Sequence, residues 1–380
     1  MCGIAGILLD SGNVSVPQLR KMTDAIAHRG PEGDGFWINA TGETGFGHRR
    51  LSILDVSAAG AQPMHYQNRY TITYNGEIYN YRELKDQLVK KGYAFASQSD
   101  TEVLLAAYAC YGKECLQHFD GMFAFAIWDE EEKSLFCARD RFGEKPFYYC
   151  YSPRKRQLLF ASEMKALWAA GVPKTPDGEM LLRYISVGWV QNPVNKEQTF
   201  FEDILSLPPS HYLWYRFATN DTPTLEVRNY WDIDKETQTG KLDDLKEKFL
   251  SLFTTSVKRR LRSDVPLGSS LSGGLDSSSI VAIIAGLPAG TNRQKTFSAI
   301  FPGFNKDESK EIRLVAERFA IDNFTFTPTA NGLIDDFEKL MYHQEEPFQS
   351  ASIYAQFKVY ELAKQRGVTV ILDGQGADET

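Results

Sequence analysis

A cysteine follows the initiator methionine directly, in the opening stretch MCGIAGIL. The small residues behind it would let methionine aminopeptidase remove Met1 and leave Cys2 with a free α-amino group. A thiolate is a nucleophile, and a terminal amine, with a reference pKa of roughly 7.7–8.0, is a general base within the same residue. The alternative is that Cys2 is a small apolar residue at the start of a buried strand. These eight residues leave both interpretations open.

The second chemical motif is SLSGGLDSSS, residues 270–279, between a predicted strand and a predicted helix. Glycines let a backbone approach a phosphate closely, and the N–H groups at a helix start bind anions. Asp276 in that first turn would repel a phosphate unless a cation lay between them, so the stretch predicts Mg²⁺. It lacks the GxxxxGK[ST] pattern of the Walker loop. The alternative is a Gly-Gly turn in which Asp or Ser caps the helix.

The elements that must position these residues change character along the chain. Residues 1–170 contain short aromatic and β-branched runs such as YTITYNGEIYNY and MFAFAIWD, separated by polar breaks, with a few helices between them. This pattern predicts an antiparallel α+β domain with sheets packed face to face. Residues 171–240 are rich in proline and are interpreted as a connecting region with some strand content.

Residues 241–380 alternate predicted helices and strands, which indicates a mainly parallel sheet covered on both faces. The final stretch, VTVILDGQGADET, places its polar residues directly after a strand, at the edge where parallel sheets bind ligands. No closing helix follows, so we expect the natural protein to continue beyond Thr380.

Composition excludes several classes of protein. The net charge of −7 argues against sequence-independent binding to nucleic acid, and no apolar run approaches the roughly 20 residues of a membrane span. The N-terminus does not have the pattern of a signal peptide. The five cysteines are odd in number and contain no CxxC pair, which is typical of a reducing compartment. We therefore expect a cytoplasmic protein that binds neither nucleic acid nor membrane.

Two motifs also resemble known families. MCGIAG is similar to the start of class II glutamine amidotransferases, and SGGLDSS is similar to the pyrophosphate-binding loop of ATP pyrophosphatases. In this order, with HRGPEGDG, YNGEIYNY, SDTEVLL, ARDRFGEKPFYY and DGQGADE between and after them, they resemble the glutamine-hydrolysing asparagine synthetases along essentially all 380 residues. The resemblance implies an N-terminal αββα sandwich of the N-terminal-nucleophile (Ntn) type, followed by an α/β parallel-sheet ATP pyrophosphatase domain truncated at its C-terminus.

For the first domain, the resemblance makes Cys2 the nucleophile and its own amine the base. Arg50 would pair with the α-carboxylate of glutamine, and Asp100 would hold the α-ammonium. The alternative is that Asp100 caps the following helix, or that Ser99 and Glu102 form a capping box there. The binding role and the capping role are compatible with each other.

The oxyanion site in this resemblance consists of the Asn75 side chain and the Gly76 N–H, and Glu77 completes the glutamine contacts. The alternative for the Asn-Gly pair is a type I′ hairpin turn. His28 is expected to be structural.

For the second domain, the resemblance implies an ATP site with Mg²⁺ held by Asp276 and Asp378. Gln375 stands where many asparagine synthetases have glutamate, which puts in doubt a role at this position in forming the acyl-adenylate. The residues expected to bind ATP are Ser270, Leu271, Ser272, Gly273, Gly274, Asp276, Ser277, Ser278, Ala299, Asp373 and Gly374.

The implied reaction hydrolyses glutamine at Cys2 and passes ammonia through an internal channel to a second site. There ATP and aspartate form β-aspartyl-AMP and pyrophosphate, and ammonia displaces AMP. Three rival hypotheses are an amidotransferase acting on another carboxylate (a uronic acid sugar or a peptide), a non-catalytic sensor of glutamine or ATP, and a simple hydrolase with a structural C-terminal half. The family also implies a possible homodimer.

Overall fold

The computed structural model describes residues 1–217, 223–287 and 294–376, and the chain forms two compact units. The first unit comprises Met1–Lys235 together with the short segment Glu345–Pro347, and the second begins at Glu236. Within the described residues, no helix has both the length and the apolar character that crossing a bilayer requires.

The first unit is built mainly from antiparallel strands. Its helices are α1 (Val16–Ala25), α2 (Tyr81–Lys90), α3 (Asp100–Tyr111), α4 (Met164–Ala169) and α5 (Gly178–Val187), with short 3₁₀ turns at Ala27–Arg29, Ala58–Gly60 and Gly112–His118. Its strands are β1 (Gly3–Leu9), β2 (Gly33–Ile38), β3 (Thr44–Arg50), β4 (Met64–Tyr66), β5 (Tyr70–Ile78), β6 (Gly121–Asp129), β7 (Ser134–Arg139), β8 (Tyr148–Ser152), β9 (Gln157–Ala161), β10 (Leu205–Ser206), β11 (His211–Arg216) and β12 (Thr224–Asn229).

These strands form two six-stranded sheets, in the orders β10-β8-β9-β1-β3-β2 and β12-β11-β7-β6-β5-β4. The inner faces of the two sheets share one apolar core, while α1 and α4 cover the outer face of the first sheet and α2 and α3 that of the second. The predicted αββα sandwich is therefore confirmed.

Strand β1 shows why the sequence folds this way. Ile4 and Leu8 face the core between the sheets, whereas Ala5 and Ile7 face α1 and α4. Successive side chains of a strand point to opposite faces, so a strand buried on both faces becomes a continuous apolar run. This places Cys2 just before the first residue of a central, fully covered strand.

The proline-rich stretch after residue 170 joins the sheets of the first unit. Strand β10 pairs with β8, and β11 lies between β7 and β12. The boundary between the two compact units lies at Lys235, close to the end of the expected connecting region. Long-range pairing with earlier strands, which local composition does not report, decides the structure of this stretch.

The second unit contains a parallel sheet in the order β15-β14-β13-β16, as the alternation of helices and strands predicts. Helices α7 and α8 pack against one face and α10 against the other. Its elements are α6 (Leu242–Arg260), β13 (Leu267–Ser270), α7 (Leu275–Gly286), β14 (Lys295–Ala299), α8 (Ser309–Arg318), β15 (Asp322–Phe326), α9 (Ala330–Gln344), α10 (Ser352–Gln365) and β16 (Val370–Leu372).

Candidate active site

The Cys2 thiol lies against the chain that leaves β3. The Leu51 N–H donates to Sγ at 3.4 Å, and the thiol lies 3.5 Å from the Leu51 carbonyl oxygen. Burial raises the pKa of this thiol, although the Leu51 contact and the charges of Arg29 and Arg50 oppose the shift. Neither sulfur contact is with a base, so a proton acceptor must come from elsewhere in the site.

All six residues predicted for the first site line one cleft, which lies beside strand β5. They are Cys2, Arg50, Asn75, Gly76, Glu77 and Asp100. His28 is not among the residues that line this cleft, and its Nε2 lies 3.1 Å from Glu163.

Asn75 and Gly76 lie in the middle of β5, paired with Ala124 and Phe123 of β6, and the hairpin-turn alternative is therefore wrong. A Cβ atom on Gly76 would lie 2.2 Å from the carbonyl oxygen of Met122. The close approach of the neighbouring strand thus requires glycine at position 76.

The outer edge of β5 presents a backbone donor to the cleft. The Tyr74 N–H donates to Oε1 of Gln62 at 2.7 Å, and the Ile78 N–H donates to Oδ2 of Asp100 at 2.9 Å. Because alternate N–H groups of a strand point the same way, the Gly76 N–H between them also points away from β6. Gly76 lines the cleft, so this N–H is available to a bound molecule there.

The Asn75 side chain is the second donor available in the cleft. It is only 1% exposed, and neither its Oδ1 nor its Nδ2 has a hydrogen-bond partner in the described part of the chain. Buried amides normally form hydrogen bonds, so this amide is available to a molecule bound in the cleft. Together, the Asn75 amide and the Gly76 N–H form a pair of donors suited to a developing oxyanion.

Arg50 organises the rim of the cleft. Its Nη1 donates to the Ser57 carbonyl at 2.8 Å and its Nη2 to the carbonyl of Asp55. A Cβ atom on Gly60 would lie 2.3 Å from Nη2, so this glycine leaves room for the guanidinium. The loop and the guanidinium therefore hold each other in place.

Asp100 is the first residue of α3, but it is not the helix cap. Ser99 is the N-cap and accepts from the Thr101 N–H at 3.2 Å, whereas the Glu102 carboxylate accepts from backbone groups before the helix. The Asp100 carboxylate instead accepts from the Tyr74 hydroxyl at 2.9 Å. Burial raises the pKa of Asp100 to about 6, and the capping-box alternative does not form.

Two basic residues of this site escaped the sequence analysis. Arg29 donates from Nε to the Cys2 carbonyl at 2.8 Å and from Nη1 to Glu163 at 2.7 Å. The Lys145 ammonium lies 2.8 Å from the Met1 sulfur, and Lys145 lines the same cleft. Their motifs, HRGPEGDG and ARDRFGEKPFYY, were the available signals, but spacing along the chain does not show that either residue meets the N-terminus.

In the second unit, the glycine-rich loop connects β13 to α7 at the carboxyl edge of the sheet. Gly273 has a φ of +87°, a backbone conformation that favours glycine, and Gly274 is the N-cap of α7. The Ser277 hydroxyl accepts from the Ser272 N–H at 3.2 Å, so serine side chains brace the turn.

The residues after β16 meet this loop. The Ser270 hydroxyl donates to the Asp373 carboxylate at 2.6 Å, and a Cβ atom on Gly374 would lie 2.8 Å from the Ser277 nitrogen. The structure thus brings the predicted loop and the predicted Asp-Gly pair together. Ala299 ends the neighbouring strand β14, at the same edge, and Asp378 lies outside the described residues.

A magnesium site here would depend on few protein ligands. Among the described residues, no group of three or more His, Cys, Asp or Glu side chains could hold a metal ion by itself. Mg²⁺ commonly binds through one or two carboxylates together with substrate phosphates. Asp276, half-buried in the first turn of α7, fits that use.

Comparisons with known proteins identify the class to which these two units belong. The sequence profile of the glutamine amidotransferase domain matches residues 1–231, and that of asparagine synthase matches residues 248–380.

Individual relatives match along the whole chain. "Asparagine synthetase [glutamine-hydrolyzing] 1" of Bacillus subtilis is 35% identical over 100% of this chain and 58% of its own length. A Methanocaldococcus jannaschii protein provisionally named asparagine synthetase [glutamine-hydrolyzing] 2 is 33% identical over 100% of this chain and 75% of its own length. "Amidase chry2" of Gibberella zeae is 30% identical over 100% of this chain and 59% of its own length.

The chain belongs to the glutamine-hydrolysing asparagine synthetase family, as the resemblance of its motifs predicted. It spans 58% of the length of the first of these relatives. A solved structure, a glutamine phosphoribosylpyrophosphate amidotransferase of B. subtilis, is 17% identical over 85% of this chain and 65% of that chain, with a TM-score of 0.44.

Proposed function

We propose that the first unit hydrolyses glutamine and that the ammonia released amidates a carboxylate activated by ATP at the second unit. The observation that carries this proposal is the β5 edge, where the Asn75 amide and the Gly76 N–H share a cleft with the Cys2 thiol. A nucleophile beside two donors is what attack on an amide carbonyl requires.

In this proposal, removal of Met1 gives Cys2 an α-amino group that takes the proton of the thiol as Sγ attacks the side-chain amide of glutamine. Asn75 and Gly76 donate to the oxyanion, ammonia leaves with the proton, and water hydrolyses the thioester. Among the residues that the structure describes, the hydrogen-bond partners of the thiol are the backbone groups of Leu51, neither of which is a base, and this supports the amine in that role.

Arg50 and Asp100 would hold the two charges of the glutamine backbone, and Glu77 lines the same cleft. The Arg50 guanidinium uses two of its donors on the rim of the cleft and presents a planar cation to the α-carboxylate. Binding of the α-ammonium would favour the ionised form of Asp100, whose pKa burial raises.

At the second unit, the N-terminus of α7 and the turn at Gly273 would bind the ATP phosphates, with Mg²⁺ held by Asp276. Mg²⁺ would neutralise charge on the phosphates, and the residues of the loop would orient them. The ATP-using asparagine synthase profile over residues 248–380 supports ATP as the substrate.

We propose aspartate as the acceptor, through β-aspartyl-AMP with release of AMP and pyrophosphate. The relatives named asparagine synthetase support this choice. A second candidate is another carboxylate, such as a uronic acid or a peptide. Gln375 in place of glutamate and the relative named amidase favour that candidate. A homodimer and a cytoplasmic location remain predictions.

The first test replaces the nucleophile. Cys2→Ala should abolish glutamine hydrolysis and leave amide synthesis from added ammonium largely intact, because ammonium bypasses the first site. Glutamate release and pyrophosphate release are measured on the same preparation. Cys110→Ala is the matched control, since Cys110 lies in α3, does not line the cleft, and should leave both rates unchanged. Loss of both activities in a folded Cys2→Ala variant would contradict the two-site proposal.

The second test identifies the acceptor. Pyrophosphate release is measured with ATP, Mg²⁺ and a panel of carboxylates that includes aspartate, uronic acids and short acidic peptides. Aspartate-dependent release with formation of asparagine would support the proposal. Release with a different carboxylate alone would favour the second candidate, and release with none would contradict an activating role for the second unit.

A further inference from the structure

Lys145 is a buried cation that lines the same cleft as Cys2. The proposed reaction gives this residue no role. The residue is 5% exposed, and its Nζ lies 2.8 Å from the sulfur of Met1. Within the part of the chain that the structure describes, no carboxylate forms an ion pair with this ammonium. Because burying a charge costs free energy even when carboxylates lie nearby, the retention of this ammonium in a ligand cleft calls for a function.

The loop that carries Lys145 is held firmly. The Asp140 carboxylate accepts hydrogen bonds from the backbone N–H groups of Glu144 and Lys145, each at 2.9 Å. Arg139 donates from Nε to the Lys145 carbonyl at 2.7 Å. The backbone of Lys145 is therefore fixed, and Lys145 lines the cleft together with Cys2 and Glu77.

The charged groups around the N-terminus come from three elements. Arg29 lies in the turn after α1, Lys145 in the loop before β8 and Glu77 on β5. Burial lowers the pKa of the Met1 amine to about 5, with Arg29 and Lys145 adding to the shift and Cys2 and Glu77 opposing it. Burial also lowers the pKa of Lys145, with Arg29 adding and Glu144, Glu77 and Asp140 opposing.

We propose that Lys145 is a positioning residue whose ammonium, once Met1 is removed, faces the α-amino group of Cys2 and keeps that amine in its uncharged, proton-accepting form. This inference rests on the proposed function, in which the amine is the base. A proton added to the amine would place two like charges in a poorly hydrated cleft. The nitrogen lone pair therefore stays available for the proton that leaves Sγ when sulfur attacks glutamine.

The first experiment compares Lys145→Met, which removes the charge at similar length, with Lys145→Arg, which keeps it. Intact mass must first show that Met1 is absent, and retained Met1 would overturn the inference. In Lys145→Met, the acidic limb of the kcat/KM profile for glutamine should move to higher pH by about one unit. Lys145→Arg should leave the limb in place. A lower rate at every pH with an unmoved limb in folded Lys145→Met would overturn the inference.

The second experiment does not require activity. The enzyme is labelled with ¹³Cα-cysteine, and the Cys2 signal is followed against pH by NMR, because among the five cysteines only Cys2 carries an α-amino group. Its titration midpoint should rise by about one unit in Lys145→Met and stay unchanged in Lys145→Arg. A shifted midpoint in an enzyme that fails to hydrolyse glutamine would contradict the proposed function alone. An unchanged midpoint would overturn the role of Lys145.

Discussion

The binding role proposed for Asp100 comes with a cost in stability. Its carboxylate is buried, and its pKa of about 6 in the folded protein lies above the ordinary value of 3.8. A raised carboxyl pKa means that the folded state retains a proton which the unfolded state has lost between these two pH values. The free energy of unfolding therefore falls as pH rises through this window, and the loss is complete above it.

Asp100→Asn should remove this pH dependence, so that its free energy of unfolding relative to the unsubstituted protein is more favourable at pH 7 than below about pH 4 by about 1–3 kcal/mol. Urea unfolding at several pH values measures this, while kinetics should show a raised KM for glutamine. Asp129→Asn is the control for a purely structural carboxylate, because Asp129 accepts from Arg69 at 2.9 and 2.8 Å and its replacement should destabilise the fold without raising the KM for glutamine. A destabilised Asp100→Asn variant with normal kinetics would indicate a structural role only.

Helix α4 depends on a carboxylate far away in the chain. Glu345 accepts from the backbone N–H groups of Met164 at 2.8 Å and Lys165 at 2.7 Å, and it pairs with the Lys165 ammonium at 3.0 Å. Lys165 also contacts Glu163, which binds Arg29, and Arg29 donates to the Cys2 carbonyl. A continuous set of buried ion pairs therefore leads from segment Glu345–Pro347 to the residue that carries the thiol.

Glu345→Ala should lower the free energy of unfolding of the first unit by about 2–4 kcal/mol, because it leaves two N–H groups at a buried helix start without their acceptor. It also removes one of the two carboxylates that pair with the Lys165 ammonium, and Glu163 remains as the other. Denaturant titration monitored by tryptophan fluorescence measures the loss. Glu179→Ala is the matched control, since Glu179 forms an exposed pair with Arg183 inside α5 and its removal should change stability little. If both variants lowered the free energy of unfolding equally, the buried ion pairs would contribute no more to stability than the exposed pair does.

Each of the two candidate sites is built within one compact unit, although the family joins them in one chain. Cys2 and the cleft beside β5 belong to the first unit, and the loop before α7 belongs to the second. The chemistry of the two sites is therefore expected to be separable by substitution.

Asp276→Asn should abolish Mg²⁺-dependent pyrophosphate release and retain glutamine hydrolysis, because it removes a carboxylate beside the phosphates and leaves the first unit unchanged. Both products are measured with ATP, glutamine and aspartate present. Asp264→Asn, upstream of β13, is the control and should preserve both activities. Normal pyrophosphate release by Asp276→Asn would remove this residue from the proposed magnesium site.

Much of the fold could be predicted because the determining signals are local. Alternation of helices and strands marks the parallel sheet, and short aromatic strands with polar breaks mark the sandwich. The proline-rich stretch was harder, because β10, β11 and β12 are defined by partners distant in sequence. For the site, the motifs identified six residues that line one cleft, and they left Arg29 and Lys145 unassigned.

The sequence by itself determined the candidate nucleophile, the candidate phosphate-binding loop and the family, since each depends on residue types at fixed short spacings. Only the tertiary structure decided that Asn75 and Gly76 lie within a strand, that Ser99 and not Asp100 caps α3, and that Glu345 supports α4. The physical reason is that these features depend on residues far apart in the sequence. A turn, a cap or a buried ion pair depends on what lies across space, and residues separated by 180 positions, such as Lys165 and Glu345, leave no local pattern that reveals their contact.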